Sequence, residues 1–531
     1  MEHNIVRQYD YSKWQELVKE QFYRILTSNP KRWNVSKEEQ IRWESGKVAL
    51  RTMLKQCGYG DENARVFIQS YMKEFFQRCG DINEETIDRV IPFATPEKLE
   101  LRIRFLILLL LREKVVGKEA LAQLIETYQW NRSRYNGIGE CYEVTSQDLD
   151  QAFYQEYRAL SYEEKLEVFV QRVYESYLGF GIMDRIATMK LDGISAGVSN
   201  KEKSIWIFYR GITIHLSCLQ FETEKEMIRI CRNLYRYGNQ GQLSQEKGYM
   251  TGNRQDGSRV VVMRPPFSES WAFFIRKFDL ARQLNLEDIT KRDRNNRLFI
   301  LLKWLVRGCQ VTGITGAQGS GKTTLLTALI EQIPESYTIR VQELTFELQL
   351  RERYPDRNIL SVRETETVSG QEALDLLKKT DGTVTILGEV ATDPVASWLI
   401  QISQTASLFT LFTHHAKTTT DLVESLRNSL LKEGGFQNEM VALQQVVSSI
   451  RFDIHLTKTR TGERYIERIS EIVTTTSEDQ VYEIHDLLVW ERGEYQRKWA
   501  ISEEVKQQIL KQLPLQEKQQ FLLDMEVLYG N

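Results

Sequence analysis

The chain has 531 residues, 41% hydrophobic and 27% charged, and its 70 Lys and Arg against 73 Asp and Glu leave a formal net charge of −3. That balance excludes a globally basic nucleic-acid coat and an acidic disordered tail, so only local charge is informative. At roughly 150 residues per domain the length predicts about three to four units. Six cysteines (Cys57, Cys79, Cys141, Cys218, Cys231, Cys309) form no CxxC pair, which favours reduced thiols in a cytosol over a disulfide scaffold or zinc site. The amino terminus shows no basic segment followed by an apolar one, so no export signal is expected.

Residues 1–150 read as helical throughout, with Trp14, Leu17, Val18, Phe22 and Leu26 recurring at spacings of three and four. Gly58 to Asp61 and Asn131 to Glu140 are the expected breaks. The apolar run Phe105 to Leu111, flanked by Arg104 and Arg112, is far short of the roughly 20 residues that span a bilayer and reads as a buried helix. Trp14, Trp33 and Trp43 are assigned to core packing rather than to an interaction surface.

A helix is expected from Tyr162, followed by two strands, Ser204 to Arg210 and Ile212 to Cys218, turned at Arg210-Gly211. A helix over Glu222 to Tyr237 and strands at Gly257 to Arg264 and Trp271 to Phe278 complete an α+β unit over residues 151–282. Eight arginines lie between Arg254 and Arg297. A solvated face accounts for about half of them. Arg259, at the start of a strand, and Arg276, on an otherwise apolar one, call for a partner, and a phosphate would be one.

Residues 308–330, GCQVTGITGAQGSGKTTLLTALI, read as a buried strand, a glycine-rich loop and a helix. The stretch Gly316, Ala317, Gln318, Gly319, Ser320, Gly321, Lys322, Thr323 is a complete P-loop pattern in the context that supports it, and Thr324 follows in the helix. The glycines let main-chain N–H groups close around phosphate oxygens, the helix terminus adds its dipole, Lys322 reaches the β and γ phosphates, and Thr323 helps to hold Mg²⁺.

Two acidic strand ends follow. Thr338 to Leu348 carries Glu343 and Glu347, and the apolar run Thr383 to Val390 closes on Gly388-Glu389. In a doubly wound parallel sheet, ligand groups gather at the carboxyl ends of strands. Glu343 and Glu389 are therefore expected to face the phosphates, one orienting the attacking water and the other polarising it or supporting the metal shell. A third apolar strand, Leu408 to Lys417, ends in His414-His415, one of which is expected to sense the γ-phosphate.

This ordered set resembles the type II and type IV secretion (traffic) ATPase superfamily, and within it the CpaF-like ATPases of tight-adherence pili. The correspondences are GAQGSGKT (Gly316 to Thr323), the acidic-box segment QELTFEL (Gln342 to Leu348), the Walker B segment ILGEV (Ile386 to Val390) and the histidine-box segment THHAK (Thr413 to Lys417). They extend to DGSRV (Asp256 to Val260), IRKF (Ile275 to Phe278) and RTGERYIERISEIV from Arg460, within a resemblance that covers roughly residues 150–495.

The resemblance implies a RecA-like P-loop domain with a parallel sheet at residues 283–495, a PAS-like α+β domain before it at 151–282, a helical region at 1–150 and a helical tail at 496–531. It implies an Mg²⁺-dependent ATP hydrolase acting as a homohexameric ring. The ring would sit at the cytoplasmic face of the cell membrane with an integral membrane platform protein, and no specific nucleic acid is expected. Lys322 and Thr323 would bind phosphate and Mg²⁺, Glu343 would be the acidic-box glutamate, Glu389 the catalytic glutamate and His415 the box histidine. Arg259 and Arg276 would contact phosphates from the amino-terminal domain.

Three positions differ from the family pattern. The aspartate after the acidic-box glutamate is Leu344, the arginine after GEV is Ala391, and the histidine-box asparagine is Lys417. Beside a hydrolysing motor of pilus assembly or secretion stand two other readings: an ATP-binding ring subunit with weakened catalysis, and a conjugative type IV ATPase.

Overall fold

The computed structural model describes residues 11–29, 36–79, 82–135, 137, 139–198, 204–237, 241–278, 284–365, 368–405, 407–459, 462–475 and 480–529. Trp33, Arg282 (one of the eight arginines) and the first two residues of the RTGER segment, Arg460 and Thr461, lie outside them, as does the expected boundary at 282/283. The chain divides into two compact units, Met1–Leu280 and Ala281–Asn531.

In the first unit, helices Ser12–Thr27, Lys37–Tyr59, Glu62–Cys79 and Tyr162–Tyr177 share a core that includes Trp14, Phe22, Ile68, Phe76 and Phe169. Helix starts are written in the sequence: Ser36 with Glu39, Thr145 with Asp148 and Ser161 with Glu164 each form a reciprocal capping box. Helix Leu101–Val116 contains the apolar run. Its Ile103, Leu106 and Ile107 enter that helical core, while Phe105, Leu108 and Leu109 enter a second one. A helix buried on both sides needs apolar residues all round, which explains the run without a bilayer. Among the described residues no helix is long and apolar enough to cross a membrane.

Between Asn131 and Glu140, where a break is expected, the chain forms a two-stranded ribbon of β1 (Arg134–Tyr135) and β2 (Glu140–Cys141). Helix Ser146–Glu156 then runs through residue 150. A six-stranded antiparallel sheet follows, made of β3 (Gly193–Ala196), β4 (Ser204–Tyr209), β5 (Ile212–Gln220), β6 (Tyr249–Asn253), β7 (Arg259–Met263) and β8 (Ala272–Arg276), in the order β5-β4-β3-β8-β7-β6. Arg210 and Gly211, both at positive φ, make the two-residue turn between β4 and β5.

The second unit is built on a nine-stranded sheet: β9 (Thr312–Gly316), β10 (Ile339–Glu343), β11 (Ile359–Arg363), β12 (Val384–Leu387), β13 (Phe409–His414), β14 (Phe452–Lys458), β15 (Arg464–Thr474), β16 (Tyr482–Glu491) and β17 (Glu494–Arg497). Its order is β11-β10-β12-β13-β9-β14-β15-β16-β17. The first six strands of that order are parallel and the last three continue it antiparallel.

Strands β9, β10 and β12 are buried along their whole length, as parallel strands covered on both faces must be. Alternate residues supply two cores. Ile386 and Leu411 face one with helices Arg297–Arg307 and Lys322–Ile330, and Leu387 and Phe412 face the other with helices Asp393–Thr405 and Thr419–Lys432. The carboxy-terminal helices Glu503–Gln512 and Leu515–Tyr529 join the first of these cores, where Phe521 meets Trp304 edge-on at 5.4 Å. The protein thus has the α/β class expected, a RecA-like parallel P-loop sheet preceded by a smaller α+β sheet and amino-terminal helices.

Candidate nucleotide site

The sheet order decides what meets at its carboxyl edge. β9 lies between β13 and β14, and β13 separates it from β12. The loop leaving β9 turns at Gly316, whose φ of 139° favours glycine, and a Cβ there would stand 2.3 Å from the Leu456 carbonyl oxygen. Ala317, Gln318 and Gly319 form the exposed crest, and Gly321, also at positive φ, opens helix Lys322–Ile330. Ser320 is buried beneath the crest with no hydrogen-bond partner for its hydroxyl.

The buried Lys322 Nζ donates to the carbonyls of Gly316 (2.9 Å) and Ala317 (3.0 Å) and lies 3.4 Å from His415 Nδ1. Thr323 and Thr324 follow, half-buried, in the first turn. Main-chain N–H groups at a helix start, an ammonium group, a buried unpaired hydroxyl and an open crest fit the phosphates of a nucleotide. Thr323 is a hard oxygen donor of the kind Mg²⁺ takes.

The two carboxylates differ in environment. Glu343 closes β10 and is 2% exposed. Its Oε1 accepts from the Leu348 N–H at 2.8 Å, and its Oε2 has no hydrogen-bond partner. Burial, with the charge of Glu347 beside it, pushes its pKa up to about 7 despite the Leu348 hydrogen bond. Gly388 makes the room: its N–H donates to Gln342 O at 2.8 Å, and a Cβ on it would stand 3.1 Å from Glu343 Cγ. The next residue, Glu389, is half-exposed and its Oε1 lies 3.0 Å from His415 Nε2.

Because β13 lies between β12 and β9, His415 stands between Glu389 and Lys322. An ammonium group only donates, so His415 Nδ1 accepts from Lys322 and Nε2 carries the proton toward Glu389. His414 does something else. It sits 2.8 Å from the Val390 carbonyl through Nδ1, which must donate, and 3.1 Å from Ser425 Oγ through Nε2. Burial lowers its pKa, so the ring is neutral and ties β13 to the segment after β12. The two histidines have separate tasks.

Sequence reasoning assigned no task to Arg464, whose Nε donates to the Gly319 carbonyl at 2.8 Å from β15. The RTGER segment was visible, but the contact depends on a hairpin folding back 145 residues along the chain. Of the three departures, Leu344 is half-buried after β10, Ala391 is exposed, and Lys417 is exposed with its carbonyl 3.4 Å from Arg468 Nη2.

In the first unit, Arg259 and Arg276 are direct partners across the antiparallel pair β7 and β8. Opposed residues in such a pair project from one face. The structure therefore brings these two arginines together, with Arg276 lying over the Phe278 ring at 5.7 Å. Like charges side by side disfavour each other unless an anion joins them.

Residues 258–519 match the model of the family described as type II/IV secretion system protein. None of the curated proteins compared with the chain matches it. Among solved structures, the VirB11 ATPase of the Brucella suis type IV secretion system, in complex with sulphate, aligns at 18% identity over 52% of this chain and 88% of that one, with a TM-score of 0.29. The Legionella pneumophila ATPase DotB aligns at 14% identity over 65% and 86%, with a TM-score of 0.37. The pilus retraction motor PilT with bound ADP aligns at 14% over 65% and 89%, with a TM-score of 0.38. Superpositions this loose carry no conclusion about activity.

Proposed function

We propose that this chain, whose residues 258–519 match the model of the type II/IV secretion system protein family, is an Mg²⁺-dependent ATP hydrolase that works as a homohexameric motor of pilus assembly or secretion. It would act at the cytoplasmic membrane face against an integral membrane platform protein, in the manner of the CpaF-like branch. The observation that carries the reading is the line Lys322, His415, Glu389 across the ends of three neighbouring strands, with the P-loop on one side and the buried Glu343 on the other.

In this reading Lys322 leaves the Gly316 and Ala317 carbonyls for the β and γ phosphates, and the helix N–H groups and the Ser320 hydroxyl take further phosphate oxygens. Thr323 would hold Mg²⁺, which would supply positive charge to offset the negative charge that develops in transfer. Glu389, half-exposed and held by His415 Nε2–H, orients the attacking water. Glu343, whose pKa stands near 7, would take or return a proton at its unpaired Oε2. Arg259 and Arg276 form a paired cation site suited to phosphate.

A second reading, an ATP-binding ring subunit with weakened turnover, rests on Leu344 and Ala391. Steady-state hydrolysis with Mg²⁺, measured across protein concentration with mass followed by light scattering, separates the two. Turnover that rises as a ring assembles supports the motor; tight ATP binding without turnover in the assembled ring supports the second reading. Lys322→Ala should weaken nucleotide affinity at least tenfold, as expected for losing charge-assisted hydrogen bonds, and unchanged affinity by titration with a fluorescent ATP analogue would overturn the P-loop assignment.

A further inference from the structure

Behind the P-loop lies a polar cluster that the mechanism above does not use. Asp453, on β14, is fully buried. Thr315 Oγ1 donates to its Oδ1 at 2.6 Å, and Thr419 Oγ1 donates to its Oδ2 at 2.7 Å. Thr315 immediately precedes Gly316, whose carbonyl holds Lys322. Thr419 opens helix Thr419–Lys432, four residues after His415, and Thr418 and Asp421 cap that helix reciprocally.

The cluster is closed on its remaining sides. His455 Nδ1 lies 2.9 Å from Thr315 Oγ1. The single hydroxyl proton of Thr315 goes to Asp453, so this histidine nitrogen is the donor. Burial, then Arg468 and Lys322, push the His455 pKa down to about 4, and the ring is neutral. Arg468 Nη2 stands 4.0 Å from Asp453 Oδ2 and also reaches toward the Lys417 carbonyl. One carboxylate therefore joins the root of the P-loop, through Thr315, to the segment that follows His415, through Thr419.

We propose that Asp453 is a positioning residue that couples the P-loop to the His415 segment, so that a displacement of one shifts the other. The inference rests on the ATPase reading for its consequence in turnover, but the coupling itself is a property of the fold. A buried carboxylate with two short hydroxyl donors admits little slack, because any donor that leaves abandons a desolvated charge. Two loops held by one such group have correlated positions.

The test is a double-mutant cycle with Thr315→Val and Thr419→Val, each near-isosteric, beside Thr419→Ser, which keeps the hydroxyl. Each valine variant should lower kcat about tenfold with nucleotide Kd within about twofold, since the binding groups stay while the His415–Glu389 geometry loosens. The double variant should fall no more than about threefold below either single one, as residues acting through one shared group are not additive. Thr419→Ser should return kcat to within about twofold of wild type. Multiplying losses, unchanged kcat in either single variant, or no rescue by serine would overturn the proposal.

Amide hydrogen exchange on the full chain decides the matter even if wild type turns over no ATP, a result that would count against the ATPase reading alone. Thr419→Val should speed exchange about tenfold at residues 316–322 as well as at 415–419, and Thr315→Val should do the same in reverse. Faster exchange confined to the mutated element would overturn the coupling.

Discussion

The two units bury carboxylates in opposite ways. In the first, Glu175 is fully buried, yet Arg102 and Arg172 approach it at 2.9 and 2.6 Å and Gln171 donates a third hydrogen bond. Burial works to raise its pKa, but the two guanidinium groups outweigh burial and hold the carboxylate below its ordinary range. The same arginines reach Glu222, and Arg102 also reaches Glu226. In the second unit Glu343 is equally buried but has only main-chain donors and, among the described residues, no cation beside it, and its pKa moves the other way. A buried carboxylate wrapped in arginine is a lock between helices. One left with a bare oxygen at the carboxyl edge of the P-loop sheet is a group kept ready to change protonation.

Removing the lock should have the largest effect. Arg102→Met leaves Glu175 and Glu226 without their shared cation, and breaking a buried pair from one side costs about 3–5 kcal/mol. Calorimetry should show the first unit melting earlier while nucleotide affinity of the second is unchanged; an unshifted transition would mean that Arg172 alone suffices.

Glu343 provides the converse case, and its sign follows from linkage. Its pKa of about 7 lies above the ordinary value of 4.5, so between these values the folded state holds more protons than the unfolded one. Its contribution to stability is fully present below about pH 4.5 and is lost as pH rises through about 7, a span of about 3 kcal/mol. Glu343→Gln should remove that slope from denaturant-derived stability measured at pH 5 and pH 8. A slope that persists would show that the carboxylate does not titrate in this window.

Glu389 tests whether the half-exposed carboxylate is the one that turns over ATP. Glu389→Gln keeps the shape and the approach to His415 but loses the charge. Turnover should fall about a hundredfold with nucleotide binding preserved. Wild-type turnover in that variant would transfer the task to Glu343 and reverse the roles drawn from burial.

What could be read from the sequence follows burial. β12 is covered on both faces and stands out as an apolar run ended by glycine and an acid, which yields Glu389, whereas β9 is legible from the P-loop pattern that follows it and β10 from Glu343 and Glu347 at its end. β14 was missed. Its Phe452, Ile454 and Leu456 alternate with Asp453 and His455, and an inward aspartate and histidine contradict burial until their threonine and arginine partners are known. Which histidine of the pair faces the site depends on sheet order, and the pairing of Arg259 with Arg276 depends on strand register. Neither is local information. The edge strand β11 is only partly buried and carries a correspondingly weak pattern.

The smallest change sharpens the comparison most closely, because it alters the setting of Glu343 without altering any charge. Gly388 does not lie at positive φ, so alanine is tolerated by its backbone and acts only through its Cβ. That atom would stand 3.1 Å from Glu343 Cγ and 3.4 Å from the Gln342 carbonyl, tighter than ordinary contact, so the glutamate must give way by a few tenths of an ångström. Glu343 is held by the Leu348 N–H on one oxygen and has no partner on the other, so its carboxylate moves more readily than β10 does. Gly388→Ala should therefore lower kcat about three- to tenfold, roughly 1 kcal/mol in the barrier, with nucleotide affinity intact. Gly435→Ala, whose Cβ would meet nothing within 4 Å, is the control and should leave both unchanged. If Gly388→Ala hydrolyses ATP like wild type, the position of Glu343 is not critical to turnover, and its raised pKa reflects burial alone.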